Sequence, residues 1–165
     1  MAGSVGEERV LLAIFAHPDD ESFGPGGTLA KYAAAGAKVW LVCGTDGNAG
    51  TVDAAMLEGY KSTSQLRAAE LCCAAQTLGL AGIDWLAYRD SGMKGAAEND
   101  HPDSLHQAPM DKLVGQLVAS IRKHRPQVVM CDNQYGGYGH PDHIKLHDAT
   151  MIAFGAAGDP AQYPD

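Results

Sequence analysis

His17-Pro18-Asp19-Asp20-Glu21 sets one imidazole and three carboxylates within five residues, directly after the apolar run Val10-Leu11-Leu12-Ala13-Ile14-Phe15-Ala16. Side chains of these types at a strand end can hold a divalent cation and still leave a carboxylate to move a proton. A second group, Gly139-His140-Pro141-Asp142-His143, stands beyond another apolar run, Val128-Val129-Met130-Cys131. A catalytic metal keeps three protein ligands and an open position for water. His17 and Asp20, three residues apart, can reach one ion from a single tight turn, and His143 can supply the third ligand from the second group. Two nitrogens and one oxygen suit zinc, while iron(II), cobalt and manganese accept the same donor types. Asp19 then stands beside the ion but outside its ligands, a base for a water whose pKa zinc lowers to about 7. The chemistry expected is metal-dependent hydrolysis.

Strands must end where these groups begin. Val10 to Ala16, Lys38 to Cys43, Ile83 to Tyr88 and Gln127 to Asp132 read as strands from their β-branched and aliphatic content. Between them, helices are expected from Gly26 to Ala35 with Gly36 behind, from about Lys61 to Leu78 closed by Gly79, and from Met110 to His124 before Pro126. A further helix is expected from Pro141 to about Phe154, with proline in its first turn. Strands alternating with helices predict right-handed β-α-β units, a mostly parallel sheet and an α/β, Rossmann-like three-layer fold. In a 3-2-1-4 strand order the first and fourth strands are neighbours where the winding reverses, and ligands bind outside their carboxyl ends. Topology alone then brings the two groups face to face. The stretch from Arg89 to Pro109 is too long for a plain connection and reads as a functional loop or a lid.

At 165 residues, 45% hydrophobic and 19% charged, the chain reads as one soluble domain, residues 1–165. A net charge of −8 and the lack of any basic run argue against nucleic-acid binding. Glu7 and Glu8 precede the first apolar run, which is too short for a membrane span, so neither a signal peptide nor a membrane partner is expected. Cys43, Cys72, Cys73 and Cys131 lack C-x-x-C spacing and read as small buried hydrophobes in a reducing cytoplasm.

The pair of motifs Ala16-His17-Pro18-Asp19-Asp20-Glu21 and Gly139-His140-Pro141-Asp142-His143 resembles the LmbE-like, or PIG-L, superfamily of zinc-dependent N-acetylglucosamine deacetylases. The resemblance extends over most of the chain, through Thr45-Asp46-Gly47, Arg67-x-x-Glu70, Leu78-Gly79 and Tyr88-Arg89-Asp90-Ser91-Gly92-Met93. The last of these, with Gly136-Gly137-Tyr138, is most similar to the mycothiol branch, which holds the N-acetylglucosaminyl-inositol deacetylase and the mycothiol S-conjugate amidase.

The resemblance implies Zn2+, or Fe2+ or another divalent ion, on His17, Asp20 and His143, with Asp19 as general base. It implies that Tyr138 and His140 polarise the amide carbonyl, hold the oxyanion or assist the leaving amine, and that Asp142 orients His140 through its ring nitrogen. Arg67 and Asp90 resemble sugar-contacting residues, with Glu21 and Ser22 near the same pocket. The activity implied is removal of an N-acetyl group from a small amino-sugar substrate, releasing acetate and a free amine. An amidase acting on larger thiol conjugates and a non-catalytic sugar- or metal-binding protein are the alternatives. Family members usually continue well past the helix that starts near Pro141, so the resemblance also implies a truncated or short form, walled less fully or completed by a second chain in a homo-oligomer.

Duller readings stand beside these. Asp19 and Asp20 can simply cap a helix, although the convergence of two groups at one crevice favours a site. Arg67 and Glu70 can form an i, i+3 ion pair. Asp90 can shape a turn with Ser91-Gly92. Gly24-Pro25-Gly26-Gly27 lacks nucleotide-binding spacing and reads as a close helix approach. His147 is expected behind the site or on the surface, and His101, His106 and His124 read as solvated polar residues.

Overall fold

The computed structural model describes residues 8–164; Glu7 and Asp165 lie outside them. Four strands, β1 (Val10–Phe15), β2 (Lys38–Thr45), β3 (Gly82–Tyr88) and β4 (Val128–Cys131), form a parallel sheet in the order β3-β2-β1-β4. The α-helices among the described residues are α1 (Asp20–Phe23), α2 (Gly26–Ala34), α3 (Thr63–Leu78), α4 (Met110–His124), α5 (Gly136–Gly139) and α6 (Pro141–Ala156). This is the three-layer α/β arrangement expected from the alternation of strands and helices.

β1 is apolar throughout because both of its faces are covered, the usual condition of a central parallel strand. Alternate side chains divide between two cores. Leu12 and Ile14 join Leu113, Leu117 and Leu146 of α4 and α6, whereas Leu11, Ala13 and Phe15 join Leu29 of α2 and Leu71 of α3. Truncating the fully buried Leu12 to alanine would cost about 2–5 kcal/mol, transfer and cavity contributions together.

Helix ends follow local chemistry. α3 starts at Thr63, two residues later than its apolar pattern suggests, because the Ser62 side chain accepts the Gln65 N–H and caps it there. Gly79 closes α3 at φ 73°, a conformation that glycine adopts without steric cost. At the end of α4, Arg122 donates to the carbonyls of Ala157, Asp159, Gln162 and Tyr163, which ties down the segment after α6.

Several expectations need correction. The connection from Arg89 to Pro109 is a pinned loop rather than a free lid: Arg89 and Ser104 bridge, and Ser104, Leu105 and Ala108 are buried. His124 is not solvated; it stacks on Trp40 at 4.2 Å between ring centroids and lies 2.8 Å from Asp84. Cys43 is buried, but Cys72 and Cys73 are exposed on α3 because they fall on its solvent side. No helix among the described residues is long and apolar enough to cross a membrane.

Candidate active site

The crevice opens at the carboxyl ends of β1 and β4, which pair directly. β1 runs into the Asp19 turn and α1; β4 runs into the kinked α5 and then α6. Gly136 (φ 63°) lets this second segment lie flat on α6, since a Cβ there would stand 2.8 Å from Ile144 Cγ1 and 3.0 Å from His143 Cβ. Tertiary folding thus brings together groups 126 residues apart in sequence.

Three donor atoms form a compact triangle. His17 Nδ1 is 3.0 Å from His143 Nε2, His17 Nδ1 is 3.3 Å from Asp20 Oδ2, and His143 Nε2 is 3.2 Å from Asp20 Oδ2. Ligands at zinc bond lengths around a tetrahedral centre stand about 3.3 Å apart, so the spacing fits a divalent ion. The surroundings fit it as well. His143 Nδ1 is buried with no hydrogen-bond partner and faces Asp132 Oδ2 at 3.5 Å. His17 Nε2 faces Asp142 Oδ2 at 3.3 Å and Asp90 Oδ1 at 3.4 Å. Each imidazole therefore turns one nitrogen to the triangle and the other to carboxylates, the arrangement that orients metal-binding histidines.

Burial alone would depress the pKa of His17, but Asp142, Asp20 and Asp90 override it and hold the imidazole well above its ordinary value. Asp20 is desolvated too, yet hydrogen bonds from His143 and His17 hold its carboxyl far below the usual range. Asp90 is lowered to about 2 against its own burial, chiefly by His17. His140 moves the other way, down to about 4, through burial and the neighbouring His17. Its Nδ1 accepts the Asp142 N–H at 3.2 Å as the cap of α6. In the neutral ring the proton must then sit on Nε2.

Asp142 does not orient His140 with its carboxylate. That carboxylate accepts the Ser91 N–H at 2.9 Å and the Ser91 hydroxyl, and it faces His17. Only the Asp142 backbone reaches the His140 ring, because Asp142 follows two residues after the cap.

A cavity of about 440 Å³ lies over the triangle, lined by His17, Asp19, Arg67, Asp90, Tyr138 and His140, with Val52, Met56, Leu66 and Met93 as apolar wall. Arg67 does not pair with Glu70. Its guanidinium donates to Asp19 Oδ2 at 2.7 Å, to the Pro18 carbonyl at 2.8 Å and to the Gly47 carbonyl at 2.9 Å. Gly47 makes room for it: a Cβ there would fall 2.5 Å from Arg67 Nη1. Glu21 and Ser22 are absent from the cavity lining. Glu21 is 1% exposed beneath the Asp19 turn, and the exposed Ser22 gives its hydroxyl to Glu21. Tyr138, 68% exposed, stands over His143 with 5.4 Å between ring centroids. His147 lies behind the site, 2.8 Å from the Asp132 carbonyl.

Asp132 and Ser91 are the participants that residue spacing did not single out. Asp132 closes β4 one residue after its apolar run, a position that a strand-end carboxylate search would have flagged. Ser91 had no such signal.

A family model described as PIG-L, GlcNAc-PI de-N-acetylase, matches residues 12–154. The chain belongs to the PIG-L family. A 1D-myo-inositol 2-acetamido-2-deoxy-alpha-D-glucopyranoside deacetylase from Geodermatophilus obscurus is 45% identical to this PIG-L chain, over 95% of the chain and 56% of that protein. The N,N'-diacetylchitobiose deacetylase from Pyrococcus horikoshii superposes with a TM-score of 0.73 at 28% identity, over 95% of this chain and 53% of its own. A structure described as the zinc inhibited form of teicoplanin deacetylase Orf2 gives a TM-score of 0.62 at 27% identity, over 90% of this chain and 64% of its own. This PIG-L chain spans little more than half the length of the curated relatives it matches.

Proposed function

We propose that this chain is a metal-dependent N-deacetylase acting on a small molecule that contains N-acetylglucosamine, with His17, Asp20 and His143 as the metal ligands. The donor triangle carries the reading, because three ligand atoms converge at zinc-like spacing while the adjacent Asp19 faces the cavity instead. The deacetylase names of its relatives support the reaction type. Zinc fits the donors, with iron(II) as the other candidate.

A divalent ion in the triangle would make water acidic and polarise a carbonyl oxygen. Asp19 takes a proton from the attacking water, and burial, opposed by Arg67, raises its pKa toward that of a useful base. His140, neutral and protonated on Nε2, donates to the oxyanion as the carbonyl carbon becomes tetrahedral. Tyr138, at the cavity mouth, adds a hydroxyl donor from above. When the C–N bond breaks, the proton held by Asp19 passes to the leaving nitrogen, giving acetate and a free amino sugar. Asp90 stays ionised and accepts sugar hydroxyls, while Arg67, occupied by Asp19, sets the cavity floor.

The test is release of primary amine and acetate by zinc- or iron(II)-loaded protein from a panel of N-acetylglucosamine conjugates, beside thiol-conjugate amides. Equal product amounts from the acetylated sugars are expected. Cleavage of thiol conjugates alone would make the chain an amidase, and no turnover with either metal would leave a binding protein.

A further inference from the structure

Asp19 has an unusual backbone, with φ 150° and ψ −27°. Side chains other than glycine rarely adopt positive φ, and such residues persist only where their surroundings enforce them. Two elements grip this one from opposite sides. Arg67 of α3 holds its carboxylate and the carbonyl of Pro18 before it. From below, Glu21 Oε2 accepts the Asp19 N–H at 3.0 Å.

Glu21 is the odd member of the pair. The residue is 1% exposed and it has no cationic partner among the described residues; its carboxyl meets the Ser22 hydroxyl, its own amide and the Asp19 amide. Burying a carboxylate without a counter-charge is costly, and an apolar side chain of similar volume is normally the more stable choice. An acceptor on the Asp19 N–H is what an apolar residue could not provide. We infer that Glu21 is a positioning residue, which holds the backbone of Asp19 so that its carboxylate faces the reacting water. The inference rests on the deacetylase reading for its catalytic consequence, but the brace itself is a property of the chain.

The test compares Glu21→Met, which keeps volume and removes the acceptor, with Glu21→Gln, which keeps an acceptor for Asp19 and lets the Ser22 hydroxyl bond the other atom. Hydrogen exchange at the Asp19 amide, bound zinc per chain, and kcat and KM for amine release are measured on the zinc-loaded proteins. Glu21→Met is expected to fold and to bind zinc as the parent does. It should lose about tenfold in protection of the Asp19 amide and about 100-fold in kcat, with KM within about twofold. Glu21→Gln should keep most of both protection and kcat. Full kcat in Glu21→Met, unchanged protection of the Asp19 amide, or a rise in KM alone would each overturn the inference. A Glu21→Gln protein as impaired as Glu21→Met would do so too, because the charge and not the acceptor would then matter. If the parent protein releases no amine, the deacetylase reading fails, while exchange at Asp19 still decides whether the brace exists.

Discussion

The carboxylate of Asp142 faces Nε2 of His17 at 3.3 Å, although it lies only two residues from His140 in sequence. It stands behind an imidazole whose other nitrogen points into the donor triangle. Carboxylates in this position fix the tautomer of a metal-binding histidine, and losing one typically costs 10–100-fold in metal affinity. Asp142→Ala should therefore weaken zinc binding about 10–100-fold, as read by competition with a chromophoric chelator. Unchanged affinity with impaired turnover would return Asp142 to a role on His140.

Asp19→Ala should separate metal binding from chemistry. Its carboxylate is bonded to Arg67 and does not belong to the triangle, so bound zinc should stay near one per chain. Loss of the base should lower kcat about 10²–10⁴-fold. Zinc lost in proportion to activity would move Asp19 into the ligand set.

Protons should compete with the metal. With its pKa held above the ordinary histidine value, His17 in the metal-free chain keeps its added proton to higher pH than a free imidazole does, and an ion at Nδ1 must displace a proton. The sign follows: affinity falls as pH falls, by about tenfold per unit below the His17 pKa. Calorimetric titrations with zinc at about pH 6, run in two buffers of different ionisation enthalpy, should report about one proton released per ion. No buffer dependence would mean that His17 is already neutral.

Away from the site, Asp84 of β3 ties the end of α4 to the sheet through Lys123 at 2.7 Å, His124 at 2.8 Å and Ser120 at 3.1 Å. Burial would raise its pKa, but Lys123 and His124 lower it overall. A carboxyl depressed on folding stabilises above its unfolded pKa, and that stabilisation is lost as pH falls through the folded value. Asp84→Asn should cost about 1–3 kcal/mol in urea unfolding at neutral pH, and the gap to the parent should shrink as pH falls below the ordinary aspartate range of about 4. A gap that does not change with pH would point to packing against Trp40 instead.

Much of this was legible in one dimension. The runs from Val10 and Lys38 announced central strands because apolar residues on both faces are needed only where helices cover both sides. His17, Asp20 and His143 stood out because few other reasons place such side chains at the ends of apolar runs. Glu21, expected near the sugar pocket, lies beneath the Asp19 turn, and Arg67 lines the cavity while bonding Asp19; a long side chain can reach several neighbours, and spacing does not say which one it takes.

By itself, then, the sequence determined the alternation of strands and helices and the donor types that stand at the strand ends. Those follow from local periodicity and from residue chemistry, which a linear pattern carries. Only the tertiary structure decided how the carboxylates divide their work: Asp20 in the triangle, Asp142 and Asp132 behind the two imidazoles, Glu21 on the amide of Asp19, and Asp19 itself toward the cavity under the hand of Arg67. Differences of a few ångströms between long-range neighbours set those roles, and burial in the crevice gives each difference its electrostatic weight.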